Sequence, residues 1–346
     1  MQKNKFSFGD KLKTKFKKLN KGVIKPTKNW VSKNIFTRIT IVIRKTFRDI
    51  YSFKKMIAMI IIMLILPLIY IFMPSPVDFG LISPFHAATV ISIALAFPFF
   101  FWSLGLSYTV FIGISGSPLI ADEISSGTML ILISKPISRI KIFLGKFIAV
   151  FLYGMLLSFI AVFVSGWIGV LVKSGNVDHF VSLIPFLIAL YLYSLFILFL
   201  FTSITMALST IFKKSRNASV GILLITIFSF LAFQLIRTLF SEGNFYAIFQ
   251  LYHFDLGYHL GNVFILFIES LDAIPPSTSW QYIFGTLTGV YDVSNTPIDP
   301  DQNINLGGYS KTNYYLPVVS LLIWLLIAFL LLAFALISLK KREISV

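Results

Sequence analysis

Six stretches of this chain are long and apolar enough to cross a lipid bilayer, and they settle most of what it can fold into. They run from Met56 to Met73, Ala87 to Ile114, Ile142 to Val172, Leu183 to Ile211, Val220 to Phe240 and Leu316 to Leu339. About 18 or more mostly apolar residues are what a helix needs to span the hydrocarbon core. In lipid every backbone N–H and C=O must find a partner inside the protein, so such stretches fold as helices. Pro67 and Pro98 fall within spans; neighbouring helices are expected to satisfy the carbonyls they free, giving kinks rather than breaks. Composition agrees, since 57% of the 346 residues are hydrophobic and only 13% are charged, which is not the make-up of a soluble domain. The expected fold class is an all-α membrane protein with six transmembrane helices. The first long apolar run begins only near Met56, so it is expected to remain in the mature chain rather than act as a cleaved leader.

Charge distribution orients the spans, because the cytoplasmic side keeps the excess of Lys and Arg. Of the 30 basic residues, 17 lie in residues 1–55, 4 in 115–146, 3 in 212–219 and 3 in 340–342. Lys173, Arg237 and Lys311 are left for the other side, against nine acidic residues there. Both termini are therefore expected in the cytoplasm. The segment Ala247 to Ile268 raises the question of a seventh span, but it contains His253, Asp255 and His259. A charge at mid-membrane costs at least about 2.5 kcal/mol, and an odd number of spans would put Lys340, Lys341 and Arg342 outside. The segment is expected on the outer membrane surface, or as amphipathic helices within a long structured outer loop over 241–315. Arg237, at the outer end of the fifth span, is expected to snorkel or to pair with Glu242.

The net charge of +16 points to anionic lipid headgroups rather than nucleic acid in so apolar a chain. Residues 1–33 form a basic tail in which Leu12, Phe16 and Leu19 share helical spacing among lysines; it reads equally as a surface-lying helix or a solvated tail. Residues 34–55 read as an amphipathic interfacial helix. Ile39, Ile43, Phe47, Ile50 and Tyr51 fall on one face, and Arg44, Lys45, Arg48 and Asp49 largely elsewhere. No cysteine is present, which removes disulfides and thiol chemistry.

Between the second and third spans the chain reads ADEISSGTMLILISKPISRIKIFLGKF, Ala121 to Phe147. Asp122 and Glu123 close the second span with charge, and Gly127 before Thr128 permits a sharp bend. Met129 to Ile133 is apolar but too short to span. Lys135 before Pro136 is pushed away from helix, and Ser138 can cap a new helix carrying Arg139, Lys141 and Lys146 to the interface. The pattern is helix, bend, short helix, break, helix.

This stretch resembles the signature of type-2 ABC exporter permeases. The matching positions are Glu123, Gly127, Thr128, Pro136, Ser138, Arg139, Gly145 and Lys146. The earlier IRKTFRDIYSFKKMIAMIIIMLILPLI, Ile43 to Ile69, is similar to that family's opening, an interfacial helix before a first span containing Leu-Pro. The resemblance implies a coupling helix in the loop over 115–146 that docks into a separate cytoplasmic ABC ATPase subunit, with ATP bound there. It also implies a second permease protomer, as a homo- or heterodimer, and the cytoplasmic membrane of a prokaryote. Without it, Glu123 and Arg139 read as a solvated pair at a helix end.

No G-x-x-x-x-G-K-[ST] occurs: Gly145-Lys146 is followed by Phe147, so no phosphate cradle forms there. No enzymatic activity or cofactor is expected of this chain. His253, Asp255 and His259 have metal-ligand spacing, but loop histidines beside aromatics ordinarily serve as hydrogen-bonded or interfacial groups. Asp299, Asp301, Asn303 and Asn305 alternate like a calcium loop that lacks its turn glycine and its bidentate Glu. The spans hold almost no carboxylate, which argues against an ion pump. Export of a lipid-like or amphipathic substrate is the function expected. The alternative is a non-transporting scaffold whose outer loop engages an extracytoplasmic protein.

Overall fold

The computed structural model describes residues 35–74, 77–129, 137–239, 245–275, 278–293 and 308–341. The basic tail, Pro136 with most of the short apolar run before it, Glu242 and the calcium-like positions 299–305 lie outside these residues. Helix α1 is Ile35–Ile50. Six helices long and apolar enough to cross a membrane follow among the described residues: α2 Phe53–Phe72, α3 Pro84–Ser125, α4 Arg139–Lys173, α5 Val177–Ile211, α6 Ser215–Arg237 and, last in the chain, the span Pro317–Lys341. Between α6 and that last span come α7, Leu256–Ser270, and α8, Thr278–Thr288; the last span is therefore α9.

Helix α5 is the hub, touching α3, α4, α6, α7 and α9. Its inward residues Leu190, Tyr193, Ile197 and Phe201 are fully buried. Helices α2, α6 and α9 form the flanks, with large apolar side chains such as Ile61, Leu224 and Phe329 exposed along them, as lipid-facing or partner-facing surfaces require.

The prolines show how the bundle tolerates its broken ladders. Pro67 in α2 removes the N–H that would bond to Met63 O and pushes against the turn before it. Ser103 Oγ of α3 donates to Met63 O at 2.6 Å, and Trp102 Nε1 donates to Ile62 O at 2.7 Å. The carbonyl that Pro67 frees is thus satisfied by the neighbouring helix, as expected, and the carbonyl before it takes a bond from the same helix. Pro98 sits where α3 widens into a π-helical stretch, Phe99–Ser107, and α6 has a second one, Phe228–Ala232. The two wide turns face each other through Phe100 and Phe230, whose rings lie 5.7 Å apart.

The segment between α6 and α9 forms helices, the second of the two expectations, and they pack into the bundle rather than lying on its surface. Phe264 of α7 and Phe284 of α8 pack on Phe100 at 5.4 and 4.9 Å, and Phe264 lies 5.0 Å from Tyr193 near the middle of α5. The α7–α8 hairpin is therefore inserted among the spans. What permits this is that its polar residues have partners in the protein, described below, so they need not reach water.

Candidate functional site

The matched residues gather where α3, α4 and α9 end together with α1, at the end of the bundle that carries the basic loops. Helix α3 arrives there through a ladder interrupted by a hydroxyl. Ser209 Oγ of α5 accepts from Ala121 N at 3.1 Å and donates to Ser117 O at 2.7 Å, standing between two groups that would otherwise bond to each other. Insertion of a side chain at Pro118 is a recognised cause of a bend. Beyond this bend, Gly127 adopts φ of +71°, a left-handed conformation that terminates the helix. An L side chain there would cost about 1 kcal/mol. Thr128 is exposed, and its hydroxyl lies 3.0 Å from that of Ser126.

Glu123 pairs with Lys146, not with Arg139. Lys146 is 3% exposed; its Nζ donates both to the Glu123 carboxylate and to Leu119 O. The ammonium thus satisfies an orphan carbonyl near the end of α3 and ties α3 to α4. Breaking a pair that is buried on one side costs about 3 kcal/mol. Arg139 instead reaches α9, where Nη1 donates to Leu339 O at 3.1 Å and Lys340 O at 3.2 Å. It caps the carbonyl end of the last span, where a cation is favoured by the helix dipole. Ser138 caps α4, its Oγ accepting from Lys141 N. A solvated Glu123–Arg139 pair is therefore corrected to two separate ties between helix ends.

Gly145 has a steric role. A Cβ there would stand 2.8 Å from Val42 Cγ1 of α1, so α1 and α4 approach closely only because this residue has none. Thr46 of α1 is buried, and Phe47 packs on Tyr153 of α4 at 5.9 Å. Helix α1 thus docks one face on α4, and ends at Ile50 rather than running to residue 55. Arg44, Lys45, Arg48 and Asp49 are all exposed on its other sides.

At the opposite end, Arg237 Nε bonds to Asp255 Oδ2 at 3.0 Å with both side chains buried. Asp255 also accepts from Tyr246 Oη and Tyr258 N, each at 2.9 Å, and so caps α7. Asp255 is thus the partner of Arg237 among the described residues; the expected pairing with Glu242 falls outside them. His259 Nδ1 lies 3.0 Å from Ser320 Oγ of α9, with Asn262 Nδ2 at 3.5 Å from the same oxygen, and His253 bonds to Tyr315. The two histidines and Asp255 are thus engaged with different partners. Among the described residues no group of three or more His, Asp or Glu is placed to hold a metal ion.

Sequence reasoning missed Ser209 and the depth of the hairpin. The signal for the second was Gly257 and Gly261, four apart, where added Cβ atoms would meet Ser229 O at 2.5 Å and Thr288 Cβ at 2.6 Å. Small residues at that spacing mark close helix approach in membranes.

The family model for ABC-2 family transporter proteins matches residues 41–344, from within α1 to beyond the end of α9. No curated relative matches the chain. Taken with the six apolar helices, the match makes the chain a multi-pass membrane protein that belongs to the ABC-2 family of transporters, as a permease subunit.

Proposed function

We propose that the chain couples ATP hydrolysis on a separate cytoplasmic ABC ATPase to export of a lipid-like or amphipathic substrate. The basic end then faces the cytoplasm, both termini lie there, and the loop over 115–146 carries the coupling function. The observation that carries this reading is the pair of ties at its two ends. Lys146 locks α4 to α3, and Arg139 locks α4 to α9. A displacement of the intervening segment therefore moves three spans together rather than bending one loop. Glu123, Ser138, Arg139 and Lys146 act as stiffeners, while Thr128 and the 130–136 segment meet the ATPase. The exposed flanks of α6 and α9 suit a second permease protomer. The basic tail suits anionic lipids, each Lys near the surface contributing about 1 kcal/mol.

The scaffold alternative draws on the length of the 241–315 segment, but the α7–α8 hairpin within it is anchored inward, with Trp280 and Tyr258 buried in the bundle. Transport is favoured for that reason.

The test is co-purification from the native host after gentle detergent extraction. The wild type is compared with Asp122→Lys/Thr128→Trp, two exposed positions that leave the Glu123–Lys146 tie in place. An ATPase recovered with the wild type and lost from a variant of unchanged elution volume is the expected result. If the wild type retains none, or the variant retains it fully, the coupling reading fails. ATP-dependent flux of an amphiphile into vesicles separates transport from scaffolding.

A further inference from the structure

A cleft of about 500 Å³ opens at the basic end between α1, α2 and α3, within the size range of sites that take small ligands. Its walls are apolar: Ala58 and Ile62 of α2 face Phe111 and Ile114 of α3. Its charged residues are Asp49, Lys55 and Glu123. Ala58, Ile62 and Ile114 are exposed, and the cleft continues the surface on which α2 shows Ile57, Ile61 and Ile65 to the outside. It therefore opens sideways into hydrocarbon, while its charged residues lie where the amphipathic α1 meets the first span.

The charges specify the occupant further. Glu123 is already neutralised by Lys146 from behind. Asp49 and Lys55 are both exposed and make no direct ion pair among the described residues, Asp49 attracting Lys146 only at longer range. One carboxylate and one ammonium at the same mouth match a headgroup that carries one charge of each sign. An anionic head would meet Asp49 at a cost, and a cationic one would meet Lys55.

We infer that this cleft binds a zwitterionic phospholipid of the leaflet at the basic end, its phosphate on Lys55, its ammonium on Asp49 and an acyl chain along Ala58, Ile62, Phe111 and Ile114. This rests on the exporter reading and narrows its substrate class.

The test is native mass spectrometry of the detergent-solubilised full chain with phosphatidylethanolamine, phosphatidylglycerol and a single-chain quaternary ammonium amphiphile. Phosphatidylethanolamine is expected to be retained best. Lys55→Glu should lower its retention about fivefold, the worth of one surface lysine. Ala58→Trp and Ile114→Trp, plugging the cleft from opposite walls, should each do the same, and two independent plugs guard against one that fails to fold. Equal retention of phosphatidylglycerol, preference for the cationic amphiphile, or indifference to both plugs overturns the site. Because binding is read without ATPase or ATP, the two readings fail separately. Lost binding with ATP-driven export intact removes the site alone, and retained binding in a chain that recruits no ATPase removes the exporter reading alone.

Discussion

Replacing Asp255 by Asn should loosen the α7–α8 hairpin without unfolding the bundle. Asp255 is fully buried and holds Arg237 Nε, Tyr246 Oη and Tyr258 N. Asn keeps the shape and can still accept at the helix cap, but it leaves the Arg237 guanidinium, 8% exposed, without its counter-charge. Arg237 Nη1 already lacks a hydrogen-bond partner, and among the described residues only the Phe233 carbonyl is left to its Nε. Breaking one side of a buried pair costs about 3–5 kcal/mol, and the lower figure applies because the cap survives. About 3 kcal/mol is a rise of roughly a hundredfold in the opening equilibrium. The chain has no cysteine, so Val263→Cys, at a fully buried position on α7, gives a single reporter. Its maleimide labelling rate in proteoliposomes follows local opening when reclosing is fast. Asp255→Leu with Arg237→Met, which removes both charges, should restore most of the protection. A change below about threefold on Asp255→Asn would refute the claim that this pair seats the hairpin.

Three further outcomes follow from the packing. Gly145→Val should drive α1 off α4, since the added carbon meets Val42 at 2.8 Å; a loss of about 1–3 kcal/mol and faster proteolysis within α1 are expected, with Gly145→Ala milder. Ser103→Ala should cost about 1–3 kcal/mol by orphaning Met63 O, and much less in a Pro67→Ala background, where the ladder can close on itself; equal costs in both backgrounds would dissociate Ser103 from the proline. Burial holds His259 below its ordinary value of 6.5, outweighing the nearby Asp255 carboxylate. The seated hairpin therefore binds fewer protons than the opened one, so its protection should fall as the pH drops below about 6.5 towards the depressed value. His259→Gln should flatten that dependence in the same labelling assay.

Much of the bundle is legible in the residues because lipid imposes one rule on every span, and long apolar runs obey it visibly. The ties at the basic end are legible only as residue types. Spacing marks Glu123, Arg139 and Lys146 as a set, but which carboxylate meets which cation depends on how helix ends far apart in sequence are brought together. Glu123 and Lys146 are separated by 23 positions, and Arg139 and the Leu339 carbonyl by 200. The same limit holds for Arg237, whose bond to Asp255 joins the end of α6 to the cap of α7 and is announced by no spacing in the sequence. Gly145 was matched as a motif position with no physical role attached. Its role emerges only once α1 is seen to lie against it.

The hairpin marks where a sound rule was applied to the wrong surroundings. The cost of a charge in a bilayer refers to a helix surrounded by lipid, and by that measure His253, Asp255 and His259 exclude Ala247 to Ile268 from the membrane. Inside the bundle the comparison changes. Asp255 meets Arg237, and His259 and Asn262 meet Ser320, so each of these buried groups exchanges water for a partner rather than for hydrocarbon, while His253 bonds to Tyr315 and stays exposed. Polar residues then become the reason the hairpin is seated at one depth and in one register, because sliding by a turn would unpair all of them at once. The aromatic contacts of Phe264 and Phe284 with Phe100, worth about 0.5–1.5 kcal/mol each beyond burial, hold the hairpin against the two π-helical turns of α3 and α6. Wide turns of this kind are easily rearranged. Phe100 thus ties α3, which carries Ser117 and Glu123 towards its other end, to a hairpin whose polar pairs hold it in place as a unit.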